Sequence, residues 1–513
     1  MSRSNHDDSV RNLPWLVWMV VVFGSISSAG FGFDQAWWAS VLSSPQFIQN
    51  FGTVDPITHE RVLSSYQQSL GTGLGYVGVI IGILCGSPMN ERLGRKNTLW
   101  IQSAIVTAGI IIEATCKTSF AQFIVGKLIV YLGGGVATSS IPAYQAECAP
   151  KSLRGLMTGT YNAFLMLGGL AAALIVYLCR HISSDWAWRA VVVAQIAIPL
   201  ASWISLPFMP ESPYWLVARG RLDEAAASLC RLRGPSFPAE AEVEALQTHS
   251  RQQRERLASA TWAVCFTDRV NRRRTLICIG TQIFQQAQGI SFVANYQAVF
   301  LQQIGFKEVL LMAVVVYGVG VVANFISMAT TDRLGRRTTL TCSALLLGAL
   351  MLCIGGLTTT NGATNMSYAM QVASVVLLML WFFSFQLTWG PLAWVLTAEV
   401  PPGAVREKVV ALSGLGAYLT GLVIVFVNPY TQAEIGGRVA FIYGALSVLA
   451  SGFAWVFVPE MRQRTLEEID EMFRDGVPAR LFKCHVCRRV PGGAGVLAST
   501  SKEEEGEELV ENA

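Results

Sequence analysis

One charged string is written twice in this chain, as Glu91-Arg92-Leu93-Gly94-Arg95-Lys96 and as Asp332-Arg333-Leu334-Gly335-Arg336-Arg337. Two further pairs repeat with it in the same order. Glu147 precedes Arg154 by seven residues as Glu399 precedes Arg406, and Pro210-Glu211 recurs as Pro459-Glu460. All three pairs are offset by roughly 250 residues, which marks a duplicated half. The chain therefore folds as two related units of one design.

Those units are apolar. Charged residues are 14% of the 513, against ~25% in soluble domains, and the mean hydropathy is +0.43. A bilayer-spanning helix needs about 20 apolar residues, and twelve runs qualify. They are 15–42, 69–89, 98–116, 119–141, 156–178, 188–209, 275–300, 309–330, 339–357, 370–398, 407–429 and 436–458. The ten-residue alternation of a membrane β-barrel is absent. The expected fold is an all-α membrane protein of twelve transmembrane helices in two pseudo-symmetric six-helix halves. Duplicated hydrophobic halves are the sequence mark of a secondary transporter.

Basic residues orient the chain. Arg92, Arg95, Lys96, Lys151, Arg154, the Arg-rich stretch 217–274, Arg333, Arg336, Arg337, Arg406 and Lys408 fall on one set of loops, whereas 358–368 carries no charge. The positive-inside rule makes the rich set cytoplasmic, with both termini. The first run is too long for a cleaved signal peptide and stays as the first span. The expected divisions are a cytoplasmic tail 1–14, a first half 15–210, a helical cytoplasmic linker 211–274, a second half 275–458 and a cytoplasmic tail 459–513, unfolded beyond about 475 and ending in the acidic run Glu503-Glu504-Glu505-Gly506-Glu507-Glu508. Helical spacing in 222–229 and 239–257 makes the linker a pair of solvated amphipathic helices.

Seven strings in one order give the chain a family resemblance over 14–473. They are Gly32-Phe33-Asp34, Gly86 with Asn90-Glu91-Arg92 and Gly94-Arg95-Lys96, Tyr144 with Glu147 and Arg154-Gly155, and Pro210-Glu211-Ser212-Pro213. Gln285-Gln286 with Gly289, Gly390-Pro391 with Trp394, and Pro459-Glu460 with Thr465-Leu466-Glu467-Glu468 complete the set. The chain resembles the sugar porter family of the major facilitator superfamily, its α-glucoside and hexose permeases included. The resemblance implies that Glu91, Arg92, Arg95, Glu147, Arg154, Asp332, Arg333, Arg336, Glu399 and Arg406 form a cytoplasmic charge network that holds the halves together when the protein is open outward.

Asp34 lies inside the first span, where an ionised carboxylate costs at least ~2.5 kcal/mol. A carboxylate held between burial and a nearby cation can bind and release a proton. In proton-coupled sugar porters a basic residue of span four partners an aspartate at this place, and Lys127 stands there; Lys lacks the bidentate fork of the commoner Arg. A sugar presents hydroxyls and an apolar face, so its site needs amides and an aromatic surface. By resemblance Gln285, Gln286 and Asn162 supply the amides and Trp394 the surface, with Ser291 and Asn295 where the family has larger or aromatic side chains. Gly169 replaces a glutamine of span five, Tyr131 a glycine of span four, and Tyr418 matches an aromatic of span eleven. The shortened side chains at 162, 169 and 291 predict a cavity roomier than a hexose porter's, suited to a disaccharide or glycoside.

Other features carry less. Cys484-x-x-Cys487 has no second ligand cluster, so neither metal nor cofactor is expected. Asn365-Met366-Ser367 is an N-glycosylation sequon on an outer loop. Gly133-Gly134-Gly135 reads as close helix packing rather than a phosphate loop. No nucleic-acid signal is present, and no enzyme chemistry. The expected partners are a sugar, glycoside or similar polyhydroxylated compound, protons and membrane lipids. The expected function is import of that compound by proton symport in the plasma membrane. The alternatives are export of a non-sugar metabolite on the same scaffold, or sensing of a sugar without transport.

Overall fold

The computed structural model describes residues 14–54, 59–149, 154–234, 237–259, 261–330, 335–359, 366–402, 405–462, 464, 466–482 and 485. Six helices form the first half: α1 Trp15–Val41, α2 Ser65–Leu93, α3 Arg95–Ala114, α4 Phe120–Cys148, α5 Arg154–Cys179 and α6 Trp186–Phe208. Six more form the second. They are α7 (Arg269–Gln285 and Ser291–Gln303), α8 Val309–Thr330, α9 Arg336–Thr359, α10 (Tyr368–Leu387 and Trp389–Glu399), α11 Arg406–Ile435 and α12 Val439–Phe457. Ten stretches have the length and apolarity of a span, one of them holding both α11 and α12, and the broken α7 completes twelve. The fold is an all-α bundle of twelve helices placed to span a membrane. Its one sheet among the described residues is a two-residue hairpin, Thr53–Val54 against Arg61–Val62.

Side chains such as Ile204, Val423, Leu84 and Leu449 stay 60–70% exposed on the helix bundle. A patch this apolar on a folded surface is a face for lipid. Without a hydrophobic drive between helices, small residues let the backbones approach. Gly133, Gly134 and Gly135 show this, each against a different helix. A Cβ on them would meet Val106 of α3 at 2.4 Å, Phe31 of α1 at 2.6 Å and the Val79 carbonyl of α2 at 2.2 Å.

The linker carries helices Pro213–Ala218, Leu222–Arg233 and Ala239–Ser259 and defines a linker face of the molecule. After α12, helix Leu466–Arg474 packs on that face and the chain remains folded to Phe482, whose ring meets Phe473 at 5.1 Å. The unfolded tail expected beyond about 475 otherwise lies outside the described residues.

Two spans are broken at matching depth. α7 is interrupted at Gln286–Ile290, where Gly289 adopts φ +108°, a conformation that L side chains rarely hold. α10 is interrupted at Thr388, with φ −124° and ψ −83°. The run 370–398 gave no sign of that second break. Gln285 joins the two, its Nε2 donating to the carbonyls of Trp389 at 3.2 Å and Gly390 at 3.0 Å, the first residues after the α10 break. Interrupted helices in a spanning bundle line the transport site, because only there can loosened backbone find partners.

Candidate functional site

Between the halves lies a cavity of about 490 Å³. Asn162, Gln285, Gln286, Ser291 and Trp394 all line it. Asn295 does not. It is buried one turn beyond, its Nδ2 donating to the Ser291 carbonyl at 2.8 Å. That position is corrected from wall to backing, because residues four apart on a helix stack along one face and the nearer one covers the farther. Ser291 donates to Gln286 Oε1 at 2.9 Å, which fixes the amide that faces the cavity.

Sequence reasoning missed most of the remaining wall. Gln35, Tyr76, Thr138, Tyr161, Tyr317 and Gln386 add hydroxyls and amides, and no charged side chain lines the space among the described residues. Two of these correct the expectation of extra room. A Cβ on Gly169 would meet the Tyr317 ring at 2.7 Å, so Tyr317 occupies the volume that a glutamine would fill. The Tyr76 hydroxyl comes within 3.5 Å of Ser291 Oγ, closing the gap beside that short side chain. The space beside 169 and 291 is thus taken by tyrosines from the opposite half.

Asp34 is fully buried and faces away from the cavity, whereas its neighbour Gln35 lines it, since successive helix residues point about 100° apart. The carboxylate receives Trp37 Nε1 at 2.8 Å and Gln195 Nε2 at 3.3 Å on one oxygen, and Lys127 Nζ at 3.4 Å on the other. Lys127 is 1% exposed and lies 4.6–5.0 Å from the rings of Tyr131, Trp38 and Trp37. This aromatic box supports a cation buried from bulk solvent. Tyr131 also meets Phe31, a wall residue of the cavity, edge-on at 5.9 Å. One aromatic layer thus separates the ion pair from the cavity.

The halves are joined at the face opposite the linker. There Ser69 Oγ donates to the Phe426 carbonyl at 2.8 Å and Ser65 Oγ to the Pro429 carbonyl at 3.4 Å. The cavity extends the other way, past Pro142, Tyr161 and Val410, toward the linker face.

The family model for "Sugar (and other) transporter" matches residues 19–473. The chain belongs to this family. It is 28% identical to the major facilitator-type transporter ecdD of Aspergillus rugulosus, covering 90% of this chain and 87% of that one. It is likewise 28% identical to the high-affinity glucose transporter ght5 of Schizosaccharomyces pombe, covering 89% and 85%. Among solved structures it is similar to the xylose transporter XylE from E. coli in its inward open conformation, with a TM-score of 0.73, 23% identity, and 88% and 99% coverage. The last likeness is one of fold.

In this sugar-family transporter two of the repeated charge pairs among the described residues form within a half. Arg95 Nη2 pairs with Glu147 at 2.7 Å, and Arg336 Nη2 pairs with Glu399 at 3.1 Å. The Pro-Glu motifs complete the design. Glu211 accepts the N–H groups of Arg95 at 2.9 Å and Lys96 at 3.2 Å, capping α3, and Glu460 accepts that of Arg336 at 2.8 Å, capping α9. The motif glycines make room, because a Cβ on Gly94 or Gly335 would sit 2.4 Å or 2.5 Å from the capping carboxylate. Glu147 also accepts the Ser212 hydroxyl. Burial pushes the Glu211 carboxyl above its ordinary value, against the backbone N–H groups of Ser212, Lys96 and Arg95 that hold it down. Glu91 and Arg92 are exposed and make no side-chain ion pair among the described residues, so the motif acts through Arg95. Arg406 Nε donates to the Pro401 carbonyl at 3.4 Å. Asp332, Arg333 and Asn365, and the side chain of Arg154, lie outside the described residues.

Proposed function

We propose that this transporter imports a neutral, monosaccharide-sized sugar across the plasma membrane with a proton, by alternating access between its two halves. The observation that carries the reading is the Asp34–Lys127 pair, 1% exposed on each side chain and one aromatic ring from the cavity wall. A buried ion pair is sensitive to the protonation of its acid, because removing one charge leaves the other unpaired. The cavity supports the substrate class. Amides and hydroxyls set among Phe31, Phe382, Phe385 and Trp394 suit hydroxyls and an apolar ring face, and a wall without cations gives an anionic substrate no partner.

With the linker face taken as cytoplasmic, the structure is an inward-facing state. In the cycle, sugar enters from the opposite face when Asp34 is protonated. The halves then rock, the contacts of Ser65 and Ser69 with α11 form, and sugar and proton leave past Trp394. Uptake of labelled hexose and disaccharide into vesicles holding the purified protein, with and without an acidic exterior, tests the reading. Gradient-dependent accumulation of the hexose is expected. Equal uptake with and without the gradient refutes coupling, and binding without any uptake makes the protein a sensor.

A further inference from the structure

Glu113, on the last turn of α3, is fully buried, and neither of its carboxylate oxygens has a hydrogen-bond partner among the described residues. It faces the proton site. A Cβ on Gly126 would lie 2.7 Å from Glu113 Cγ, so the side chain rests on the α4 backbone next to Lys127. Asp34 and Lys127 both act on it electrostatically. The other titratable or charged groups around it are Tyr131 on α4, Cys116 just beyond α3, and Arg189 on α6, whose Nη2 donates to the Cys116 carbonyl at 2.7 Å. The cavity is lined without it.

Three ionisable groups in one dry cluster cannot all carry charge cheaply. With Asp34, Glu113 and Lys127 ionised, the cluster holds a net negative charge away from water. Asp34 has three donors in this conformation, from Trp37, Gln195 and Lys127, and Glu113 has none. An ionised carboxylate without a donor bears the full cost of desolvation, whereas its neutral form bears far less. We propose that Glu113 is a second proton-binding carboxylate of this site, sharing one proton with Asp34 while Lys127 pairs with whichever of the two is ionised.

The exchange balances. As the Glu113 O–H bond breaks, an Asp34 O–H bond forms, and the Lys127 ammonium keeps its three protons and turns from Asp34 to Glu113. The trio stays neutral before and after. Glu113 lies one residue from the end of α3 at the face opposite the linker, and helical side chains lean back toward the N-terminus, here toward Lys127. The carboxylate is therefore placed to take a proton from that face and pass it to Asp34. Two carboxylates that share a proton titrate as a pair, so removing one changes the pH profile of transport rather than only its rate.

This proposal rests on the proton-coupled reading of Asp34. Its test uses the full-length protein in proteoliposomes with labelled hexose, as wild type, Glu113→Gln and Glu113→Asp. An imposed difference of about two pH units can drive roughly 100-fold accumulation at one proton per sugar, since each unit is worth a factor of ten. Wild type is expected to accumulate sugar. Glu113→Gln is expected to retain sugar exchange within about twofold, lose at least roughly tenfold of the accumulation and flatten the pH profile of uptake, with Glu113→Asp restoring both. Wild-type protein that exchanges sugar but ignores the gradient overturns the coupling reading, and this proposal with it. A coupled wild type with Glu113→Gln indistinguishable from it overturns this proposal alone. Loss of exchange in Glu113→Gln that Glu113→Asp does not rescue shows a structural acid and overturns it as well.

Discussion

Gly73 offers a direct handle on the conformational equilibrium. It lies on α2 where the halves meet at the face opposite the linker, and a Cβ there would fall 2.1 Å from the Phe426 ring of α11. Ordinary van der Waals contact begins at 3.4–4 Å, so any side chain at 73 drives the two helices or the ring apart. Gly73→Leu therefore overpacks the closed face, at a cost of about 1–3 kcal/mol. The greater helix propensity of leucine acts equally in both conformations and cancels from their ratio. Only the state in which α2 and α11 touch is penalised, so the population moves about 5–150-fold toward the state open at that face. Ser69 reports on it, being 1% exposed and bonded to the Phe426 carbonyl in the closed state. With Ser69→Cys in a background lacking the other cysteines, labelling by a membrane-impermeant maleimide should rise in that proportion when Gly73→Leu is added. Normal insertion with unchanged labelling would refute the assignment of this contact as the closed gate.

Three further outcomes follow from the same geometry. Arg95→Ala should lower stability by about 1.5–3 kcal/mol, the worth of a charged hydrogen bond, while exposed Arg92→Ala should stay within about 0.5 kcal/mol; thermal unfolding of the purified proteins compares them. Glu211, whose carboxyl is raised by burial, binds its proton more tightly folded than unfolded. Stability should thus fall as pH rises from the ordinary value of 4.5 through the folded one, and Glu211→Gln should flatten that slope in melting curves. Tyr317→Leu should reopen the space beside Gly169 and raise disaccharide binding relative to hexose by roughly tenfold, measured by competition. An unchanged ratio would mean that Tyr317 does not set the size of the site.

The division into halves was legible because duplication leaves its mark in order and offset, which mutation of single residues does not erase. The pairing of Asp34 with Lys127 was legible through the resemblance, which matches a span-one aspartate with a basic residue of span four. The network was read less well. Sequence could not tell which arginine of each repeated string turns inward; Arg95 does so because Glu211 caps the helix that begins with it. What fills the space beside the short side chains at 169 and 291 was not legible. Tyr317 and Tyr76, which sit beside those positions, each come from the half opposite the position they face. Deletions of volume are visible one position at a time, whereas compensation is visible only once the helices are packed. Glu113 escaped for the opposite reason. It stands at the end of an apolar run, where an acid normally reaches solvent, and only the approach of α4 at Gly126 buries it.

Sugar-driven proton movement tests the coupling most directly. Proteoliposomes in weakly buffered medium, with no gradient imposed, receive hexose from outside while external pH is followed. Wild type should alkalinise the medium by about one proton per sugar taken up, and Asp34→Asn should exchange labelled hexose while moving no protons. Sugar uptake by the wild type with no change in external pH would show that the Asp34–Lys127 pair is structural and that the protein is a uniporter.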